Sequence, residues 1–319
     1  MASPSSNNSV NSSGQRSYRQ APKGSTIPDS MSIEENGRLY NAYREGKYFL
    51  PNDGDEQDRL DLQHHVSVLC LDGKLCLAPF KETATVLDIG TGTGIWAIQF
   101  ARLNPHQKVI GTDISLIQPT HNTPPNCEFI REDAEDMWVF DHLFDYIHWR
   151  VMFSCFTSHK DMILKVSSNL NPGGWAEFYD WGCETIGADA AGDERLQRSS
   201  WAKWVNYLIA GGAAIGRDFT APRKYKQYMI EAGFVDVVEK QTLTPLNGWP
   251  LDPRDKKLGD WTCLDMLQGV AAVTKLLHLG GLPPEETPAF LESVRYDLTD
   301  ATMRVYVVGY IVYGRKPEA

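Results

Sequence analysis

The chain has 319 residues, 42% of them hydrophobic, and a formal net charge of -10 at pH 7, so it is long and apolar enough for a sizeable core. The acidic balance disfavours direct binding of a nucleic acid, because such binding needs clustered Lys and Arg. Since no apolar run is long enough to span a bilayer and the N-terminus is polar, the sequence predicts neither a membrane segment nor a secretory leader.

The six cysteines are scattered, with neither a Cys-x-x-Cys motif nor a His/Cys pair at a spacing typical of metal ligands. We therefore expect reduced thiols, mostly in the core, and no metal site. Reduced thiols are typical of proteins inside the cell. The cysteines thus favour a cytoplasmic or nuclear location.

The N-terminal third begins with two contrasting segments. Residues 1–30 are mainly Ser, Asn, Pro and Gly and predict a disordered tail, because they have little to bury against the entropy of folding. From 31 to 82 apolar residues recur at roughly helical spacing, with breaks at Pro51 and Gly54. We predict two helices there, which cap a single domain spanning 31–319.

Residues 83–182 alternate short apolar runs with amphipathic segments. The predicted strands are TVLDI, KVIGTDI, CEFIRED, FDYIHWR and GGWAEFYDW, and helices are predicted over IWAIQFARL and HKDMILKVSSNL. Strands that alternate with helices, and are apolar on both faces, form a parallel sheet. We therefore predict a doubly wound, Rossmann-like α/β core over these residues.

Residues 183–319 contain helical stretches that are too long to be simple connections, followed by the strands FVDVVEKQTL and MRVYVVGYIVYGRK. We expect these insertions to fold over the carboxyl ends of the strands, where open α/β sheets bind ligands. With the cap they would form a ligand pocket. Trp201, Trp204, Trp249 and Trp261 are candidates to line it, although a position in the core explains each of them as well.

A glycine turn, Asp-Ile-Gly-Thr-Gly-Thr-Gly at 88–94, follows one predicted strand and precedes a helix. Alternate glycines let the backbone turn without Cβ clashes and approach a ligand, toward which the helix amides point. A dinucleotide-binding turn needs Gly-x-Gly-x-x-Gly, whereas the third position here is Ile95, and a P-loop needs a lysine that this turn lacks. A turn without a ligand stays open as an alternative.

The turn resembles motif I of class I S-adenosylmethionine-dependent methyltransferases. The resemblance implies a seven-stranded sheet, mostly parallel with the last strand antiparallel, and S-adenosyl-L-methionine as cofactor. It also implies that the amino-acid part of the cofactor is held by Asp88, Gly90, Thr91, Gly92 and Gly94. The acid would help to orient the cofactor's ammonium group, a charge that a pyrophosphate lacks.

Further residues fall where this class of enzyme binds the rest of the cofactor. The resemblance implies that Asp113, at the end of the second core strand, accepts hydrogen bonds from the ribose hydroxyls, which suits an ionised carboxylate. Asp133, after the third strand, would meet the adenine amino group. Ile114 and Ala134 would pack on the adenine faces, and Trp149 lies where the fold approaches the sulfonium.

A longer set of segments is similar to the fungal LaeA-like methyltransferases, from residue 33 to near the end. These segments are EENGRLYNAYREGKYFLPNDGDEQDRLDLQHH, IQPTHNTPPNCEF, LNPGGWAEF and LTPLNGWP. The resemblance implies one of two roles. Some members regulate secondary metabolism in the nucleus with velvet-type partners, and others methylate a small metabolite.

We favour methyl transfer to a small-molecule acceptor, a fungal secondary metabolite, because the tail is short and has no basic import signal. A LaeA-like regulator that acts through a velvet-type protein partner is the first alternative. A methyltransferase-fold protein without methyl-transfer activity is the second.

Methylation of an oxygen acceptor usually also needs a base. The candidates are His64, His65, His148, Tyr179 and Asp180, each of which a structural role explains as well. The histidines at 64–65 and the nearby carboxylates also raise the possibility of a metal site, but no acidic pair has a suitable spacing. We therefore expect catalysis without a metal.

Overall fold

The computed structural model describes residues 32–35, 38–44 and 46–318. The predicted tail at 1–30 lies outside the described residues. The strands in these ranges are β1 (Ser32–Glu35), β2 (Arg38–Asn41), β3 (Thr85–Ile89), β4 (Lys108–Asp113), β5 (Cys127–Arg131), β6 (Phe144–Arg150), β7 (Leu170–Gly187), β8 (Val235–Pro245) and β9 (Val305–Arg315). The α-helices are α1 (Gly54–Cys70), α2 (Ile95–Leu103), α3 (His159–Asn169), α4 (Ala190–Gln197), α5 (Ser200–Ala214), α6 (Tyr225–Glu231), α7 (Pro253–Gly269), α8 (Thr274–Leu279) and α9 (Thr287–Thr299).

Seven of these strands form one sheet in the order β5-β4-β3-β6-β7-β9-β8. The neighbours from β5 to β7 pair in parallel, whereas β9 is antiparallel to both β7 and β8. The strand order reverses at β3, the first strand of this sheet in the sequence. The loops after β3, β4 and β6 therefore meet at the carboxyl edge of the sheet, next to the end of β3. The predicted fold, with its antiparallel last strand, is confirmed.

Both faces of the sheet are buried, as the apolar strands predict. On β3, Val86 packs with the α2 side chain Trp96, while Leu87 and Ile89 pack on the opposite face with the α3 side chain Ile163. Alternation along a strand places neighbouring residues on opposite faces. The sheet is therefore a rigid middle layer, and only residues at its ends are available to a ligand.

The N-terminal cap differs from its prediction. The first segment is a β-hairpin in which Ser32 pairs with Asn41 and Ile33 with Tyr40; only the second segment, α1, is a helix. The sequence signal that the helical interpretation overlooked is the Asn-Gly dipeptide at 36–37, which favours a tight hairpin turn. The hairpin reaches the core where the Asn41 side chain donates to the backbone oxygen of Ile114.

The helical insertions form an apolar cluster of their own, built from α4, α5, α8 and α9 around Trp201, Trp204 and Leu277. The strand β7 runs to Gly187, so the helical region starts later than the predicted boundary at Cys183. None of the helices in the described ranges is both long and apolar enough to cross a membrane.

Candidate functional site

The glycine turn between β3 and α2 has a backbone that only glycine adopts readily. Gly90, Gly92 and Gly94 have φ angles of 67°, 56° and 79°, in the left-handed region. A Cβ at Gly90 would lie 2.2 Å from Sδ of Met152, and one at Gly94 would lie 2.5 Å from Cζ of Phe129. Gly90 and Gly92 line a large cavity, whereas Gly94 lies behind it, at the start of α2.

Asp88 supports this turn from below. Its side chain is buried, and its two oxygens accept hydrogen bonds from Oγ1 of Thr91 at 2.7 Å and from Nδ1 of His148 at 2.8 Å. The His148 ring in turn stacks on Trp96, with centroids 3.9 Å apart. Thr91 lines the cavity, but Asp88 does not. Asp88 therefore fixes the turn and its threonine, and reaches a ligand only through them.

Asp113 closes β4 and lines the cavity beside the turn. One carboxylate oxygen accepts a hydrogen bond from the Gly92 amide at 2.8 Å, and the other accepts one from the Ser115 amide at 2.8 Å. Burial raises the pKa of this carboxyl from 3.8 to about 6. Each oxygen retains a lone pair, so the ionised group can accept further donors from a ligand.

Asp133 follows β5 and faces the same cavity with Ile114 and Ala134. Nζ of Lys47, from the segment after the hairpin, lies 2.6 Å from Asp133 and 3.0 Å from Glu135. This ion pair brings the N-terminal segment across the loop after β5. We call residues 90–93, 112–115 and 132–135 the loop half of the cavity.

The opposite wall, the helix half, is formed by side chains of α1, α5, α7 and α8. Most of these side chains are aromatic or aliphatic, and they include Trp201, Trp204, Leu208, Met266 and Leu276, whereas Trp249 and Trp261, also predicted to line the pocket, do not line it. The two tryptophan rings are stacked, with centroids 5.1 Å apart. The whole cavity measures about 270 Å³. Its helix half suits a flat, apolar molecule.

One buried charged network crosses the helix half. Arg59 on α1 donates two hydrogen bonds to Glu56, at 3.0 and 2.7 Å, and one to Asp265 on α7, at 2.7 Å. Gln63 lies on the same side of α1 and donates to Asp265 at 3.4 Å. Burial raises the pKa of Asp265, opposed by the charge of Arg59. The network joins the cap to the insertions.

None of the five residues predicted as bases, His64, His65, His148, Tyr179 and Asp180, lines the cavity. His65 is exposed and contacts Trp261 on the outer surface, and His148 is buried beneath the turn. Tyr179 is 2% exposed, packs in a small cluster between the sheet and α1, and lies 3.3 Å from the Thr242 hydroxyl. The structure thus does not bring these five side chains to a reacting ligand.

Trp149 is also absent from the cavity wall. Its side chain is fully buried, stacks on Phe178 with centroids 3.6 Å apart, and donates to Asp180 at 2.9 Å. It is the last but one residue of β6 and points to the face covered by α3 and α6. The structure therefore does not bring Trp149 to the cavity in which we expected it, because only the residues beyond it on this segment reach the wall.

All six cysteines are free thiols. Cys155 and Cys183 line the cavity, and burial raises the pKa of each to about 12, so both stay protonated at neutral pH. The described residues hold no group of three or more His, Cys, Asp or Glu side chains arranged to bind a metal ion.

Sequence reasoning missed several charged residues of the cavity, among them Lys47, Arg59, Arg150 and Asp265. For Arg150 a signal existed, since it is a charge at the end of the apolar strand FDYIHWR. For Arg59 and Asp265 there was none, because they are 206 residues apart in sequence. Their pairing depends on how the insertions fold.

The loop half fits an adenosine carrying an amino acid. Its polar groups are the Thr91 hydroxyl at the turn, whose proton is donated to Asp88, and a carboxylate at or just after the end of each of the next two strands, Asp113 and Asp133. At Gly90 a Cβ would overlap the Met152 side chain, so only a glycine fits at this point of the turn. The sheet order and this arrangement define a class I methyltransferase, for which the methyl donor is S-adenosyl-L-methionine.

Comparison with known proteins leads to the same class. The methyltransferase domain family matches residues 62–239. Methyltransferase pytC of Aspergillus terreus is 33% identical over 89% of this chain and 87% of its own length. The secondary metabolism regulator laeA of Monascus pilosus is 31% identical over 89% and 78% of the two chains. The probable methyltransferase tdiE of Emericella nidulans is 32% identical over 86% and 87%.

The chain belongs to the methyltransferase domain family, and within it to the LaeA-like methyltransferases of fungi. It is an S-adenosylmethionine-dependent methyltransferase, as its glycine turn and its cap motif predict. Its function is S-adenosylmethionine-dependent methyl transfer.

Proposed function

We propose that this chain methylates a small, largely apolar metabolite that lies against the aromatic wall of the helix half. One observation carries this proposal: the glycine turn and the stacked Trp201 and Trp204 line the same cavity. Methyl transfer requires donor and acceptor to lie side by side in a fixed orientation. A continuous cavity with one polar half and one apolar half meets that requirement.

In this proposal Gly90, Thr91 and Gly92 hold the amino-acid part of the cofactor, and Asp113 accepts the ribose hydroxyls. The hydrogen bonds that Asp113 already accepts from two backbone amides fix its carboxylate in place. Asp133 faces the adenine. Ile114 and Ala134, which lie on the same stretch of wall, pack on the two faces of the base. Gly94 and Asp88 act indirectly, by shaping the turn.

The cofactor, when bound, supplies an activated methyl group on a sulfonium. The protein must then orient the acceptor and exclude water. The apolar side chains of α5, α7 and α8 exclude water. The carboxylates facing the acceptor are already engaged, Asp265 by Arg59 and Glu184 by the Tyr310 hydroxyl at 2.5 Å. The helix half therefore contributes shape and orientation rather than a free base.

The test uses purified protein and an extract of a strain in which the gene has been deleted. Adding the protein with S-adenosylmethionine should convert one small molecule of the extract into a product heavier by one methyl group. Repeating the assay with a methyl-deuterated cofactor should add the mass of the label. The Asp113→Asn variant is the negative control. No methylated product in an extract that contains the pathway's other intermediates would contradict the proposal.

A regulatory role is the second candidate, and it is favoured by the similarity to the regulator of Monascus pilosus. In this role a velvet-type protein partner, rather than the apolar pocket, would be the important ligand. We propose the cytoplasm as the working location of a tailoring enzyme and the nucleus as that of a regulator. A fluorescent fusion, together with metabolite profiles of the deletion strain, distinguishes loss of one methyl group from loss of many unrelated products.

A further inference from the structure

Three cations line the cavity, and one of them has no carboxylate partner among the residues that the structure describes. Lys47 pairs with Asp133, and Arg59 pairs with Glu56 and Asp265. Arg150 also lines the cavity, yet within the described ranges no Asp or Glu forms an ion pair with it. A guanidinium in such a setting normally pairs with an anion, because burying a lone charge is costly.

The partner of Arg150 is a neutral ring. Its Nη2 lies 2.8 Å from Nδ1 of His64, and Nε2 of the same ring lies 3.0 Å from Oε1 of Gln99. Arginine can only donate, so Nδ1 accepts and Nε2 carries the proton. Burial, followed by the charge of Arg150, lowers the pKa of His64 to about 3. The ring therefore orients the guanidinium without neutralising it.

The carboxylate that acts on Arg150 through space, Asp88, is already engaged. Its two oxygens accept from Thr91 and His148, and it lies outside the cavity wall. The remaining N–H groups of Arg150 are thus available on the cavity side. The positive charge is held in place by His64 on a residue that lines the cavity.

The position of Arg150 relates this charge to the glycine turn. In the parallel pairing of β3 with β6, Ile89 is opposite Trp149. Arg150 and Gly90 are the residues that follow this pair in the sequence. Both line the cavity, and Met152, two residues further on, covers Gly90. The Arg150 side chain therefore starts beside the turn that we assign to the amino-acid part of the cofactor, and its guanidinium extends to His64 on α1.

We propose that Arg150 binds a carboxylate of a ligand in this cavity, and that His64 is the positioning residue that orients its guanidinium. Arginine suits this task because its planar fork matches a carboxylate. The methionine carboxylate of the cofactor is one source, favoured by the neighbouring turn, and an acceptor carboxylate is the other. The inference rests on the cofactor site proposed above.

The first experiment compares two ligands that differ in the amino-acid part. S-adenosylhomocysteine carries the carboxylate, whereas methylthioadenosine keeps the adenosine and lacks the amino acid. By calorimetry, the Arg150→Met variant should bind S-adenosylhomocysteine at least about tenfold more weakly than the natural chain. Its affinity for methylthioadenosine should be unchanged, which also shows that the variant is folded. The Arg150→Lys variant should lie between them, because it keeps the charge and loses the fork.

The second arm tests an acceptor carboxylate. This arm applies if Arg150→Met leaves S-adenosylhomocysteine binding unchanged. Naphthoate is then added to both proteins in the presence of S-adenosylhomocysteine. The natural chain should bind naphthoate, and the variant should bind it at least about tenfold more weakly. Naphthol, which has the same rings without the carboxylate, should bind equally to both. Unchanged binding of both carboxylate ligands overturns the proposal. If the natural chain binds neither adenosine ligand, the cofactor site itself is wrong, and this proposal is rejected with it.

His64 is tested by restoring its acceptor. The His64→Leu variant should weaken S-adenosylhomocysteine binding several-fold, because the guanidinium loses its orientation. The His64→Asn variant should recover much of that loss, since the Asn oxygen replaces Nδ1 as an acceptor near the same position. A purely structural role predicts parallel losses for methylthioadenosine in both variants, and that result would contradict a positioning role.

Discussion

The two halves of the cavity are built in different ways. The loop half is made of three short segments, each directly after a strand of the parallel sheet, and its polar contacts are mainly hydrogen bonds to backbone amides, as at Asp113. The helix half is made of side chains from four helices that belong to the cap and the insertions. Its main polar contact, between Arg59 and Asp265, joins residues 206 positions apart.

This difference separates what is local from what depends on the whole fold. In the loop half a turn is held by its own glycines and by neighbouring strand ends, so its shape follows from the sheet. In the helix half, α1 and α7 must meet before Arg59 can reach Asp265. The loop half is suited to one constant cofactor, and the helix half can vary with the acceptor.

The largest expected effect comes from breaking the network of the helix half. The Arg59→Met variant leaves Glu56 and Asp265 buried without their cation. We expect the free energy of unfolding to fall by about 3–5 kcal/mol, measured by denaturant titration. The matched control is Arg198→Met, whose partner Glu194 is exposed and one turn away on the surface; it should leave stability unchanged. Similar losses in both variants would contradict a specific role for the network.

The second prediction concerns the carboxylate of the loop half. Asp113→Asn should weaken S-adenosylhomocysteine binding by roughly 1.5–3 kcal/mol, because charge-assisted hydrogen bonds to the ribose are lost. Calorimetry at a fixed pH measures this change. Asp218→Asn, a change to an ion-paired carboxylate outside the cavity wall, is the control and should bind normally. Unchanged affinity in the Asp113 variant would place the ribose elsewhere.

The raised pKa of Asp113 gives this binding a pH dependence. The pKa of Asp113 is about 6 in the folded protein, against an ordinary value of 3.8. Its protonated form is therefore favoured by folding, and its contribution to the free energy of unfolding is fully present below pH 3.8 and is lost as the pH rises through 6. The ligand needs the ionised form, so affinity should fall as the pH drops below 6, by about tenfold per unit. In the Asp113→Asn variant this dependence should disappear; if it persists, another group is responsible.

A glycine of the turn gives the third prediction. Gly94→Ala places a Cβ against the Phe129 ring at a φ of 79°, and we expect a loss of about 1–3 kcal/mol in the free energy of unfolding. Gly54→Ala is the matched control, because that glycine has open space for a Cβ and lies at the start of α1. Thermal unfolding of the two variants measures the difference. Equal stability would mean that the turn tolerates a side chain.

The strands and the turn could be predicted from sequence because their signals are local. The run TVLDI is β3 and IWAIQFARL is α2, with the predicted bounds, and the carboxylates at 113 and 133 follow their strands and line the cavity. The resemblance to methyltransferases indicated which carboxylates belong to the same site as the glycine turn. Strand ends of a parallel sheet meet at one edge, so a correct order of elements was enough to bring these residues together.

The predicted bases failed for a reason that local patterns do not contain. Alternation and the distance from the end of a strand decide which side chains of β6 and β7 reach the cavity. His148 is two residues before the end of β6, and Tyr179 is eight residues before the end of β7, a strand longer than predicted. The partners in the helix half depend on packing between distant helices, for which a single sequence gives no signal.

The smallest prediction tests how the hairpin segment affects the loop half. Nζ of Lys47 occupies an oxygen of Asp133 at 2.6 Å, the carboxylate that we assign to the adenine amino group. A part-exposed pair of this kind contributes about 0.2–1 kcal/mol, so Lys47→Met should free the oxygen and raise the affinity for S-adenosylhomocysteine by up to about fivefold. Lys224→Met, which breaks the surface pair with Asp218, should have no effect. A weaker affinity in the Lys47 variant would mean that the lysine orients Asp133 toward the base rather than competing for it, because the two roles change binding in opposite directions.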